Sequence, residues 1–134
     1  MKNYTSYLSV VLSLAISSFV FAAPPSDAWF KAIATVESSN NPAAIGDGGK
    51  AIGLYQIHKC YWQDAVQHDP SIGGRYEDCY DPDYARRIVI AYLDRYAPKN
   101  ATNEQLSRIH NGGPRGNKIA ATKKYWVKVQ KHLQ

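Results

Sequence analysis

The stretch SDAWFKAIATVESSNNPAAIGDGGKAIGLYQI, residues 26–57, decides how the chain is read. Ser26 is suited to cap a helix from Asp27 to about Ser38, because its hydroxyl can accept from an otherwise unpaired backbone N–H. Trp29, Ile33 and Val36 recur at spacings of four and three and give that helix an apolar face. Glu37 falls in its last turn, where the helix dipole disfavours a negative charge. A residue placed against local preference is a candidate for function. Asn40-Asn41-Pro42 stops the helix. Asp47-Gly48-Gly49 then sits between short apolar runs, which predicts a tight turn in a small β-hairpin near residues 45–57, with Ala51 to Ile57 as its second arm.

Downstream, helical patterns dominate. A short helix is expected near Tyr61 to Gln67. Asp81-Pro82 pairs a capping side chain with a proline suited to the first turn, and starts a helix ending near Tyr96 before Pro98. Tyr84, Ile88, Tyr92 and Leu93 form its apolar face. Thr102 with Gln105 makes a capping-box pattern for a helix to about Ile109. Asn111 to Gly116 reads as a loop. A last amphipathic helix from about Thr122 to Lys131 buries Tyr125, Trp126 and Val129. The expected fold is α+β, mostly helical, in one domain. The 134 residues are too few for two.

Ahead of this domain, residues 1–22 have the pattern of a signal peptide. Lys2 is followed by an uncharged apolar run from Leu8 to Phe21, and Val20-Phe21-Ala22 offers a small-residue cleavage site. Cleavage after Ala22 is expected, leaving residues 23–134. An uncleaved anchor is the rival, and the run is short for a span. The 16 Lys and Arg against 11 Asp and Glu give +5, and loss of Lys2 with the leader leaves +4. A basic exported protein suits an anionic wall. No basic stripe or motif points to nucleic acid. The expected location is secreted or periplasmic, with no stable membrane insertion after cleavage.

Export bears on the two cysteines, Cys60 and Cys79. In an oxidising compartment an isolated pair usually bonds. A disulfide is expected, and closing a loop of that length contributes on the order of 3 kcal/mol. The alternative is a metal site, since His58, Cys60, His68 and Cys79 lie close in sequence. Their spacing fits no standard zinc pattern.

Two carboxyls suggest glycoside chemistry. Cleaving a glycosidic bond takes an acid for the leaving oxygen and a group that stabilises or traps the sugar cation. Glu37, ending an apolar-faced helix, is the candidate acid, because poor solvation raises a carboxyl pKa. Asp47, on a polar turn, is the candidate second group. An aspartate also suits a turn for its hydrogen bonding alone.

Val36 to Pro42 with Gly53-Leu54-Tyr55-Gln56-Ile57 resembles the Glu-Ser … Gly-x-x-Gln-Ile signature of the lysozyme and lytic transglycosylase superfamily. Tyr61-Trp62, Ala91 to Tyr96, the string Arg108 to Gly116 and Tyr125 to Gln130 are similar to the invertebrate-type, destabilase-like lysozymes, in the family's order. The resemblance implies a lysozyme-like fold that hydrolyses the β-1,4 bond between N-acetylmuramic acid and N-acetylglucosamine in peptidoglycan strands, without a cofactor or metal. It places Glu37 on the general acid and Asp47 near the catalytic aspartate. It sets Tyr55, Gln56, His110 and Asn111 along the cleft, where amides, imidazole and flat rings meet sugar. The family is cysteine-rich, whereas this chain has two. No serine lies between Asp47 and Ile57, where isopeptidase members would have their nucleophile. The alternatives are a lytic transglycosylase using Glu37 alone to form anhydro-muramic ends, and a non-catalytic wall-binding protein.

Overall fold

The computed structural model describes residues 23–133. The expected signal peptide therefore lies outside the described residues. Five helices surround a small antiparallel sheet: α1 (Asp27–Ser38), α2 (Lys59–His68), α3 (Pro82–Tyr96), α4 (Asn103–Gly112) and α5 (Ala121–Gln130). The strands are β1 (Ile45–Gly46), β2 (Ala51–Ile52) and β3 (Ile57–His58), in the order β1-β2-β3. This is the α+β, mostly helical architecture expected from the sequence.

α1 is the central element. Ser26 Oγ accepts from the Trp29 backbone N–H at 3.2 Å, as its capping role requires. The helix ends where Ser39 and Asn40 take φ of 53° and 63°, and their N–H groups return to the carbonyls of Thr35 and Ala34. Trp29, Phe30, Ala32, Ile33 and Ala34 are all buried, so the helix is covered on more than the single face that its spacing shows. The buried indole needs a polar partner. Trp29 Nε1 donates to Ser107 Oγ of α4 at 3.0 Å, and Ser107 in turn donates to the Asn103 carbonyl at 2.7 Å.

The sheet departs from a simple hairpin. β1 and β2 pair Ile45 with Ile52 and Gly46 with Ala51, as a hairpin would. The expected second arm then breaks at Gly53, and the chain reverses to bring Ile57 opposite Ile52 and His58 opposite Ala51. Gly53 has a φ of 76°, and a Cβ there would sit 2.2 Å from the Cys79 carbonyl oxygen. Gln56 also holds a left-handed φ of 49°. Two such residues within four positions make a turn rather than a strand.

The expected disulfide is absent. Cys60 and Cys79 are both free thiols. Cys60 is exposed in the first turn of α2. Cys79 is wholly buried on the 3-10 turn Tyr76–Tyr80, where burial pushes its thiol up to about 12. One sulfur faces solvent and the other faces the core, so proximity in sequence does not become a bond. Other contacts tie this region down. The Tyr76 hydroxyl shares its proton between the carbonyls of Ile57 at 2.7 Å and Lys50 at 3.0 Å. Trp62 Nε1 donates to Tyr84 Oη at 2.9 Å, and Tyr84 donates to the Gly73 carbonyl at 2.7 Å.

The α4–α5 corner is organised by a buried charge. Helix α4 runs on through His110 to Gly112, past the end expected from the sequence. Arg108, 9% exposed, donates from Nε to Thr122 Oγ1 at 3.0 Å. Its other nitrogens reach Glu104 at 3.0 Å and the Asn117 carbonyl at 2.7 Å. Gly116 packs so closely that a Cβ would lie 1.9 Å from the Arg108 carbonyl oxygen. The string Arg108 to Gly116 thus includes a structural clamp that fixes where α5 begins. Gly116→Ala is expected to cost about 2–3 kcal/mol, because the clash is with backbone that cannot swing away. Denaturant unfolding measures it, and a loss below about 0.5 kcal/mol would contradict the clamp.

Candidate active site

Glu37 projects from the last turn of α1 with only 18% of its side chain exposed. Tyr125 of α5 donates its hydroxyl proton to Glu37 Oε1 at 2.6 Å. Burial raises the carboxyl above its ordinary value, and the nearby negative charge of Asp47 adds to the rise. The Tyr125 hydrogen bond and the Lys128 charge act in the opposite direction without reversing it. Ser38, next in the chain, lies 2.8 Å from the Leu54 carbonyl and 3.1 Å from the Ala34 carbonyl. Its hydroxyl ties the end of α1 to the turn between β2 and β3.

Asp47 sits in a contrasting environment. Its side chain is 68% exposed, and Oδ2 lies 2.9 Å from Nε2 of His58 on β3. The residue holds a left-handed φ of 49° at the start of the Asp47–Gly49 turn. A carboxylate in this setting keeps its hydration, whereas Glu37 has lost most of its own.

His110, in the last turn of α4, is buried beside Glu37. Its Nε2 is 3.7 Å from Glu37 Oε1, and its Nδ1 is 3.0 Å from the Tyr61 hydroxyl. Burial lowers its pKa to about 4, partly offset by a hydrogen bond with the Tyr55 backbone. At neutral pH the imidazole is therefore uncharged, and its approach to Glu37 is not an ion pair. Trp29 meets the ring edge-on at 6.0 Å.

The other predicted positions surround this group in different ways. Asn111 follows His110 and is exposed. The Tyr55 ring is buried against Phe30, with centroids 5.4 Å apart, while its backbone meets His110. Gln56 directs its amide inwards, donating to the carbonyls of Gly53 at 3.0 Å and Ala44 at 3.3 Å. Its Oε1 lies over Gly46, where a Cβ would come within 2.2 Å. Gln56 thereby locks the two turns that carry Asp47 and Tyr55.

Tyr125, Tyr61 and Ser38 are the contributors that sequence reasoning did not assign to the site. Tyr125 was legible as a buried position of the last helix. Its hydroxyl is the signal, since a buried phenol needs a polar partner.

A groove of about 930 Å³ lies elsewhere, lined by residues including Pro24, Ile72, Ile90, Ala97 and Leu106. It contains none of the predicted site residues. The shifted carboxyl and its partners make Glu37 the candidate for chemistry. Among the described residues, no three His, Cys, Asp or Glu side chains are grouped to hold a metal ion. No helix among them is long and apolar enough to cross a membrane.

Comparison with known proteins identifies the family. The family profile described as Destabilase matches residues 26–132. The chain is 34% identical over 128 residues to a lysozyme of Magallana gigas, covering 90% of this chain and 89% of that protein. It is 35% identical over 102 residues to invertebrate-type lysozyme 6 of Caenorhabditis elegans, covering 67% and 74% respectively. The match to lysozyme 1 of Crassostrea virginica is 34% identical over 106 residues and spans 55% of that protein. Among solved structures, Tapes japonica lysozyme superposes with a TM-score of 0.66 at 29% identity, covering 79% of this chain and 89% of that one. The chain belongs to the destabilase family, the invertebrate-type lysozymes of the lysozyme superfamily, and its activity is that of a lysozyme-type glycoside hydrolase.

Proposed function

We propose that the protein is an exported muramidase that hydrolyses the β-1,4 bond between N-acetylmuramic acid and N-acetylglucosamine in peptidoglycan strands. The observation that supports it most is the shielded Glu37 carboxyl, held by Tyr125 at 2.6 Å and raised above its ordinary pKa. A general acid must carry its proton at working pH and still release it when charge develops on the leaving oxygen. Glu37 protonates that oxygen. Asp47, on its water-exposed turn, stabilises or traps the glycosyl cation. Glu37, now a carboxylate, draws a proton from water, and the bond closes with retention at the sugar carbon. No cofactor enters the reaction.

In this reading Asn111, Tyr55, Gln56 and His110 serve the glycan. Asn111 offers an exposed amide to acetamido and hydroxyl groups. Tyr55, Gln56 and His110 form the braced wall behind the acid. The leader at residues 1–22 directs the enzyme to the periplasm or the exterior, and the positive charge favours the anionic wall.

The Glu37→Gln variant keeps an acceptor for Tyr125 but cannot donate an acidic proton. Its turnover on purified peptidoglycan is expected to fall by about a hundredfold or more. Mass spectrometry of the released fragments should find reducing muramic ends. Anhydro ends would replace hydrolysis with transglycosylation, and no soluble fragments would leave only wall binding.

The same carboxyl sets a pH signature. A raised carboxyl pKa means that the folded state holds this proton more tightly than the unfolded chain. Its contribution to stability is present at low pH and is lost as pH rises through the raised value. Glu37→Gln is therefore expected to melt higher than wild type at neutral pH, with the gain shrinking in acid. His110 acts oppositely. Its lowered pKa gives a contribution that is complete above about 6.5 and declines as pH falls towards about 4. A melting profile in which Glu37→Gln gains nothing at neutral pH would remove the buried charge from the account.

A further inference from the structure

Glu37 with Tyr125 and His110 with Tyr61 form two hydrogen-bonded pairs from four helices, and His110 Nε2 approaches Glu37 Oε1 to 3.7 Å between them. Tyr61 of α2 is buried and stacks on Tyr92 of α3, with ring centroids 3.5 Å apart. Its hydroxyl has His110 Nδ1 as its partner at 3.0 Å. A buried phenol keeps its proton here, since burial pushes its pKa well up. The two ring nitrogens of a neutral histidine differ: one donates and the other accepts. Which one donates is set by the partners of both.

Resting on the muramidase reading, we propose that Tyr61 is a positioning residue. Its hydroxyl donates to His110 Nδ1, fixing His110 as the neutral Nε2–H tautomer, with that N–H facing Oε1 of Glu37. Three consequences follow from atom positions. An imidazolium at this place, 3.7 Å from Oε1, would hold the carboxyl ionised and destroy the acid. An Nε2 lone pair would compete for the acid's proton. A neutral Nε2–H does neither. Oε1 also accepts from Tyr125, so both neighbouring donors address the same oxygen. The acidic proton of Glu37 is thereby left on Oε2, the atom that must present it to the glycosidic oxygen.

The charged and titratable groups around this set are few. Asp47 approaches from the turn after β1 and raises the carboxyl, while Lys128 on α5 lowers it. Cys79, Tyr92 and Glu37 itself bear on Tyr61. Trp29 of α1 covers the imidazole edge-on without titrating. Loss of the Tyr61 hydroxyl leaves Nδ1 without its donor and frees the neutral ring to carry its proton there, which turns an Nε2 lone pair towards Glu37 Oε1.

Two measurements test this on the purified protein. Nitrogen-15 spectra of the imidazole groups at neutral pH should show His110 uncharged with its proton on Nε2. In a folded Tyr61→Phe variant the same spectra should show His110 still uncharged, with its proton moved at least in part to Nδ1. The variant's KM should stay within about twofold, since Tyr61 lies behind His110 rather than on the glycan. An Nδ1–H or charged His110 in wild type overturns the proposal even if Tyr61→Phe does not fold. A His110 proton that stays wholly on Nε2 in the folded variant overturns it too. Absence of glycan cleavage by wild type would instead remove the muramidase reading, while the spectra still decide the His110 tautomer.

Discussion

The hydrogen bond from Tyr125 to Glu37 joins residues 88 positions apart, and the site depends on it. It needs the end of α1 and the middle of α5 to meet within a fraction of an ångström. A carboxyl this shielded would otherwise be left without a partner, at a cost of several kcal/mol if ionised. The phenol solves that problem partially. It satisfies one carboxyl oxygen in either protonation state, so under the proposed mechanism the group can lose its proton and regain it. A lysine or arginine at the same place would stabilise the anion strongly and leave a poor acid.

The position of α5 follows from contacts that never touch the acid. Arg108 reaches Thr122, Asn117 and Glu104 from one buried guanidinium, and Gly116 admits the Arg108 backbone at a distance no side chain would allow. Thr122 adds its own hydroxyl contacts to the Gly116 and Ile119 carbonyls, both at 2.7 Å. These bonds set the first turn of α5, and Tyr125 follows one turn later on the same face. Rigid support of this sort matters because a misplaced donor changes both the pKa of the acid and its direction.

Local chemistry was legible in the sequence to the extent that it was local. Ser26, Asp81 and the Thr102–Gln105 pair each carry a capping pattern, and the structure uses all three. The turn at Gly53 was not legible, because the need for glycine comes from the Cys79 carbonyl, 26 positions away. The expected disulfide failed for a related reason. Spacing in sequence shows that a loop can close, but burial decides where each sulfur points, and Cys79 turns inward while Cys60 turns out. Glu37 stood out because it occupies an unfavourable helix position. Its partners Tyr125 and Tyr61 did not, since aromatic residues on apolar faces look the same whether or not their hydroxyls have a task.

The two candidate carboxyls differ in environment more than in chemistry, and the proposed mechanism gives each the role that its environment suits. Glu37 is enclosed by helices whose backbone groups are already paired, so little remains to solvate an anion. Asp47 stands on a three-residue turn with most of its surface in water and one imidazole nitrogen at 2.9 Å. If the turn were longer or more mobile, Asp47's charge would act on Glu37 less steadily. Gln56 donates to the carbonyls of Ala44 before β1 and Gly53 after β2, and so braces the base of the hairpin that carries the Asp47 turn. The small sheet is therefore best understood as a mount. Its three two-residue strands carry the turn that holds Asp47 and the turn whose Leu54 carbonyl meets Ser38 at the end of α1.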